Sequence, residues 1–229
     1  MKRILTAFVM FGVVAGFGPH LLADASNFIS SRTSEQTTTA SHSATAASPN
    51  KRKVRKTVKK LQVRTDLATG YDRDAFGSSW LDVDDNGCDT RNDILQRDLK
   101  KVRLDSDGCT VLRGTLKKDP YTGTKIKFVR GPNSGDVQID HIVALSNAWQ
   151  HGAGRWSDSK REQFANDPRN LIAVDGPENM SKSDKAANEW LVPENPGYRC
   201  TLAYKQAKVK KAYNLTVTAA EKKSLKRAC

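Results

Sequence analysis

The sequence contains no CxxC pair. Its four cysteines, Cys88, Cys109, Cys200 and Cys229, stand far apart, a spacing that argues against a zinc ribbon or knuckle. There is no internal repeat, and histidine is scarce, with four in 229 residues. The N-terminal apolar run from Ile4 to Phe17 falls short of the roughly 20 residues that span a bilayer. Acidic residues are outnumbered, 25 against 38 Lys and Arg, so the chain carries a net charge of +13. A balance of that sign favours polyanionic partners, whether nucleic acid, teichoic acid or lipid headgroups.

Lys2 and Arg3 ahead of the apolar run, with the small-x-small pattern Ala23-Asp24-Ala25 behind it, mark residues 1–25 as an export signal. Residues 26–60 read as a disordered spacer and basic arm. Positions 30–48 hold 11 Ser or Thr and almost nothing large and apolar to bury. The ten residues "KRKVRKTVKK" that follow, 51–60, carry seven positive charges and no negative one. In an exported chain the cysteines are expected to form two disulfides. Three connectivities are open, and the sequential one, Cys88–Cys109 and Cys200–Cys229, closes the shortest loops.

Residues 61–229 read as one α+β domain. "RNDILQRDLKKV" places Ile94, Leu95 and Leu99 on one helical face. "TVLRGTL" and "KIKFVRG" are strand-like and joined through the turn signals of "KKDPYTGT", and "GDVQID" is expected as the return strand of a hairpin. "NLIAV" reads as another strand, "SKSDKAANEWL" as a helix, and Thr218 three residues before Glu221 as a capping box opening the last helix.

Asp140 and His141 stand side by side in the apolar stretch "QIDHIVALSN". Downstream, Asn170 precedes a strand and Asn179 enters a helix. With "FGSSWLDVDDNGCDTRNDIL", "DHIVALSNAW", "FANDPRNLIAV", "NMSKSDKAANEWLVP" and both late cysteines, the chain resembles the His-Asn-His (HNH) endonuclease superfamily over roughly 70–229. More closely, it resembles a secreted branch related to the C-terminal domain of GmrSD restriction enzymes. The resemblance implies a ββα-metal (His-Me finger) nuclease core. It implies that Asp140 and Asn179 hold Mg²⁺, with Mn²⁺ an alternative, and that His141 is the general base that deprotonates the attacking water. Asn170 would orient the His141 imidazole or the loop that carries it. Neighbours on a regular strand face opposite sides, so the strand is expected to stop or twist at Asp140 for both residues to meet one phosphate.

Two signals have competing readings. Lys182, three residues past Asn179, suits a phosphate contact or a solvated helix face. Arg91, in the recurrent "TR" of the resemblance, suits a phosphate clamp or an ion pair with Asp93 or Asp98. The acidic stretch Asp82, Asp84, Asn86, Gly87 and Asp93 follows a calcium-loop pattern at positions 1, 3, 5, 6 and 12, but with Asp for Glu at position 12 and Asp89 at the apolar position 8. An acidic turn is the leading reading there and a structural Ca²⁺ site the lesser one. No base-reading module is visible, so contact would be mainly to phosphates. The expectation is a secreted, metal-dependent DNA endonuclease with little sequence preference and no membrane span in its mature form. The alternatives are a non-catalytic polyanion binder and a toxin-like RNase.

Overall fold

The computed structural model describes residues 49–229. The expected export signal and the Ser/Thr-rich stretch up to residue 48 lie outside the described residues. The basic stretch is the first departure from the sequence reading, because it folds as helix α1 (Lys51–Lys59) and not as an unstructured arm. The Asn50 side chain caps its start by accepting from the Arg52 N–H. Val54 and Val58, four residues apart and therefore on one face, are fully buried against a later pair of helices. All seven cationic residues of the stretch point outward.

After a turn-rich segment, α2 (Thr90–Asp98) begins at Asp89, whose carboxylate accepts from the Asn92 N–H. Strands β1 (Lys100–Leu104), β2 (Val111–Leu116) and β3 (Ile126–Val129) form an antiparallel sheet in that order. Strand β4 (Val137–His141) does not return along β3 as expected. It pairs antiparallel with β5 (Leu171–Asp175) in a second, two-stranded sheet, after the intervening helices α3 (Leu145–Gln150) and α4 (Asp158–Ala165). Ile94, Leu95 and Leu99 of α2 share one core with Val111 and Phe128 of the first sheet and Ile139, Leu171 and Ala173 of the second. That shared core makes the two sheets parts of one α+β domain.

Helix α5 (Gly176–Lys182) starts directly after β5 and ends where Ser183 takes φ 50°. The helix expected across 181–191 is thus shifted upstream: Asp175 caps it and Pro177 occupies its first turn. Gly176 is required there, since a Cβ would lie 2.1 Å from the Gly135 carbonyl oxygen. Helices α6 (Arg199–Ala212) and α7 (Ala219–Arg227) form the layer against which α1 packs. Thr218 accepts from the Glu221 N–H, as the capping pattern requires. Cys88 bonds Cys109 and Cys200 bonds Cys229, with Cα separations of 5.2 and 4.7 Å, within the usual range. Among the described residues no helix is long and apolar enough to cross a membrane.

Candidate functional site

The β4–β5 ladder runs unbroken through Asp140, opposite Ile172, and His141, opposite Leu171. The expected stop at Asp140 does not occur. The two side chains therefore project to opposite faces of the strand pair. Val137 and Ile139 lie on the side of His141 and pack into the sheet core. Gln138 and Asp140 lie under α5, where the Asn179 amide donates to Gln138 Oε1 at 2.8 Å. Asn179 thus reaches the face that carries Asp140, although its amide is bonded two residues away.

Asp140 is 5% exposed, and both its oxygens are engaged. Lys182 Nζ lies 2.9 Å from Oδ1 and 2.9 Å from the His141 carbonyl. The Tyr121 hydroxyl donates to Oδ2. Lys182 is only 1% exposed. Neither surface reading of this lysine holds, because a buried ammonium survives only beside a counterion and its counterion is Asp140. Tyr121 is fully buried with its ring edge-on to Trp190 at 4.8 Å. Burial, then the Asp140 charge, pushes its hydroxyl well above the usual tyrosine value, so it stays a donor.

His141 Nε2 lies 2.8 Å from the Ala165 carbonyl oxygen. A carbonyl only accepts, so Nε2 carries the hydrogen and the neutral ring keeps its lone pair on Nδ1. Burial lowers the imidazole pKa to about 4, with Lys182 and Arg73 acting in the same direction against the Ala165 bond and the Asp140 charge. The residue is only partly buried, so solvent moderates the size of the shift, while its direction keeps the ring neutral near pH 7. Asn170, fully buried, holds the chain just beyond. Its Oδ1 accepts from Val143 N at 2.8 Å, its Nδ2 donates to Val143 O at 3.2 Å, and its carbonyl accepts from Ile142 N at 2.7 Å. Its side chain thus bonds the loop after His141, and Ala165 holds the imidazole.

An open cleft of about 410 Å³ brings Asp140, His141 and Asn179 together with Tyr71, Arg73 and Asp184. The last three escaped the sequence reading. Asp184, which accepts from Ser146 at 3.2 Å, stands two residues past Lys182 inside a quoted motif, where its acidity was the available signal. Tyr71 and Arg73 come from the turn-rich segment about seventy residues upstream, and nothing local marks them. Arg91 does not line this cleft. It sits on α2 with its pKa lowered by burial and by Arg130, and it pairs with neither Asp93 nor Asp98 among the described ion pairs. In the acidic loop, Asp82 accepts from the Asn86 and Gly87 N–H groups and Asn86 donates to Asp93. These bonds fold an acidic turn into the start of α2. Among the described residues no group of three His, Cys, Asp or Glu side chains is arranged to hold a metal.

Comparison with known proteins supplies the relationship. A protein of Arthroderma benhamiae named only as an uncharacterized secreted protein is 40% identical over 158 residues, covering 68% of this chain and 72% of its own. No solved structure matches. The family described as GmrSD restriction endonucleases, C-terminal domain, matches residues 89–228, more than half of the chain. This match points to a nuclease-related function, and the chain belongs to that family.

Proposed function

We propose that the protein is a secreted endonuclease that hydrolyses DNA phosphodiester bonds with little sequence preference, assisted by one divalent cation. Secretion follows the fungal relative's name and the signal-like N-terminus. The unit β4–β5–α5 is read as a ββα-metal core. The observation that carries the reading is His141: the Ala165 carbonyl fixes its tautomer, and although its side chain leaves the strand on the face opposite to that of Asp140, the residue lines one cleft with Asp140, Asn179 and Asp184.

The donor chemistry fits a hard cation. The cleft is lined by Asp140, Asp184, Asn179 and Ser146, whose carboxylate, amide and hydroxyl oxygens are the donor types preferred by Mg²⁺ and Mn²⁺, while both Asp140 oxygens are bonded to Lys182 and Tyr121 in this structure. Asp140 and Asn179 would hold the ion, with Lys182 yielding its place on Asp140. When bound, the ion supplies positive charge to the phosphate and the departing oxygen. His141 Nδ1 takes the proton of the attacking water. Asn170 keeps the loop behind that ring in place, and Arg73 at the cleft wall neutralises a phosphate oxygen.

A non-catalytic polyanion binder is the second reading, favoured by the engagement of both Asp140 oxygens inside the fold. A plasmid-nicking assay separates the two. Nicking with Mg²⁺ or Mn²⁺ that EDTA abolishes supports the enzyme, and intact DNA with every metal supports the binder. Faster cleavage of RNA in a parallel incubation would reassign the substrate.

A further inference from the structure

A cavity of about 490 Å³ lies between α6 and the 167–169 turn and shares no lining residue with the His141 cleft. Its size suits a small organic ligand. Arg97, Arg169, Lys205 and Lys208 line it together with two acids, Asp98 and Asp167. Both acids are already engaged. Asp98 binds Arg97 through two 2.8 Å bonds, and Asp167 binds the Arg169 guanidinium and the Tyr213 hydroxyl at 2.6 Å each. Lys205 and Lys208 remain; among the described residues neither ammonium has a hydrogen bond or ion pair, and Lys208 lies 5.8 Å from the centre of the uncharged Tyr204 ring. Lys205 is partly buried, and burial followed by Arg97 lowers its pKa. The structure thus holds two unneutralised charges at one concavity.

We propose that this cavity is a second ligand site, for a phosphate monoester of mononucleotide size. A monoester is close to a dianion at pH 7 and matches the two free ammoniums in charge. The remaining wall, from Pro168, Val209, Ala212 and Tyr213, is largely apolar and receives the uncharged body of the ligand. The group arrives either as a free nucleotide or as the phosphorylated end of a cut strand. Residue Asp167 of this cavity and residue Ala165, which holds His141, belong to one short segment. Binding here nonetheless requires no nuclease activity, so this proposal stands or falls apart from the function proposed above.

Isothermal titration calorimetry of the full-length protein in EDTA tests it, with deoxyadenosine monophosphate, inorganic phosphate and deoxyadenosine as probes. The monophosphate is expected to bind more tightly than phosphate, and the nucleoside not at all. Lys205→Met is expected to weaken the monophosphate by about tenfold, the effect of one charge-assisted hydrogen bond. Lys208→Met, at an exposed position, is expected to act in the same direction. Displacement of the monophosphate by a 5′-phosphorylated oligonucleotide, and not by its 5′-hydroxyl counterpart, identifies a strand end as the source; no displacement identifies free nucleotide. Absence of binding at millimolar monophosphate, or equal affinity in wild type and both variants, would overturn the proposal.

Discussion

Replacing Lys182 by Met keeps most of the side chain's bulk and removes its charge. Lys182 and Asp140 are both almost wholly buried and 2.9 Å apart, and among the described residues Tyr121 is then the carboxylate's one remaining side-chain partner. Breaking one side of a buried pair typically costs about 3–5 kcal/mol, because the other charge is left uncompensated. In a domain of this size each kcal/mol moves Tm by roughly 2–4 °C, so a fall on the order of 10 °C is expected in EDTA. If Asp140 holds the divalent cation, the ion replaces the lost ammonium. Mg²⁺ should then raise Tm more in the variant than in wild type, where metal and lysine compete for one oxygen. Differential scanning calorimetry with and without Mg²⁺ measures both shifts. A variant as stable as wild type in EDTA would refute the internal ion pair as a stabilising contact, and equal Mg²⁺ shifts would refute Asp140 as the ligand.

Gly176→Ala puts a Cβ 2.1 Å from a backbone carbonyl oxygen, so α5 must move and carry Asn179 and Lys182 with it; loss of cleavage together with a lowered Tm is expected, and unchanged activity would show that α5 need not sit where it does. Val58→Ala, in the fully buried face of α1, should cost roughly 1–3 kcal/mol in urea unfolding, whereas a solvated arm would show no effect. His151 lies in the core beside Thr216, Glu221 and Lys210; the Lys210–Glu221 pair is already neutral overall, and burial followed by the Lys210 charge lowers the His151 pKa to about 3. The unfolded chain, titrating near 6.5, then binds the proton more readily, so stability is full above about pH 6.5 and falls as pH drops, by at most about 1.4 kcal/mol per pH unit from this group. Urea midpoints between pH 7 and 5 should decline with that sign, less steeply in His151→Gln; His141 adds to the same slope, and identical slopes would remove His151 from the account.

Local pattern carried much of the fold. The spacing of Ile94, Leu95 and Leu99 marked α2, alternation and turn chemistry marked β2 and β3, and Thr218 marked the start of α7. What failed was non-local. The strand from Val137 looked like a hairpin return because glycines precede it, yet its partner lies thirty residues downstream, a choice set by burial of Ile139 beside Ala173. Helix α1 was hidden because the seven charges of residues 51–60 outweigh two valines in any composition count, although Val54 and Val58 sit at helical spacing. At the site, Asp140, His141, Asn170 and Asn179 were visible as a motif, but the fate of Lys182 was not. A lysine at a helix end normally lies in solvent, and its counterion comes from a strand forty-two residues earlier. Tyr121 stands in the turn-like stretch "KKDPYTGT", and its bond to Asp140 is likewise non-local.

In the proposed reaction the His141 ring itself accepts the proton of the attacking water. Plasmid cleavage by His141→Gly in Mg²⁺, with and without added imidazole, tests it most directly, alongside DNA binding by fluorescence anisotropy. Cleavage is expected to be lost, DNA binding retained, and activity partly restored by free imidazole entering the vacated space. Wild-type cleavage by His141→Gly without imidazole would contradict the account.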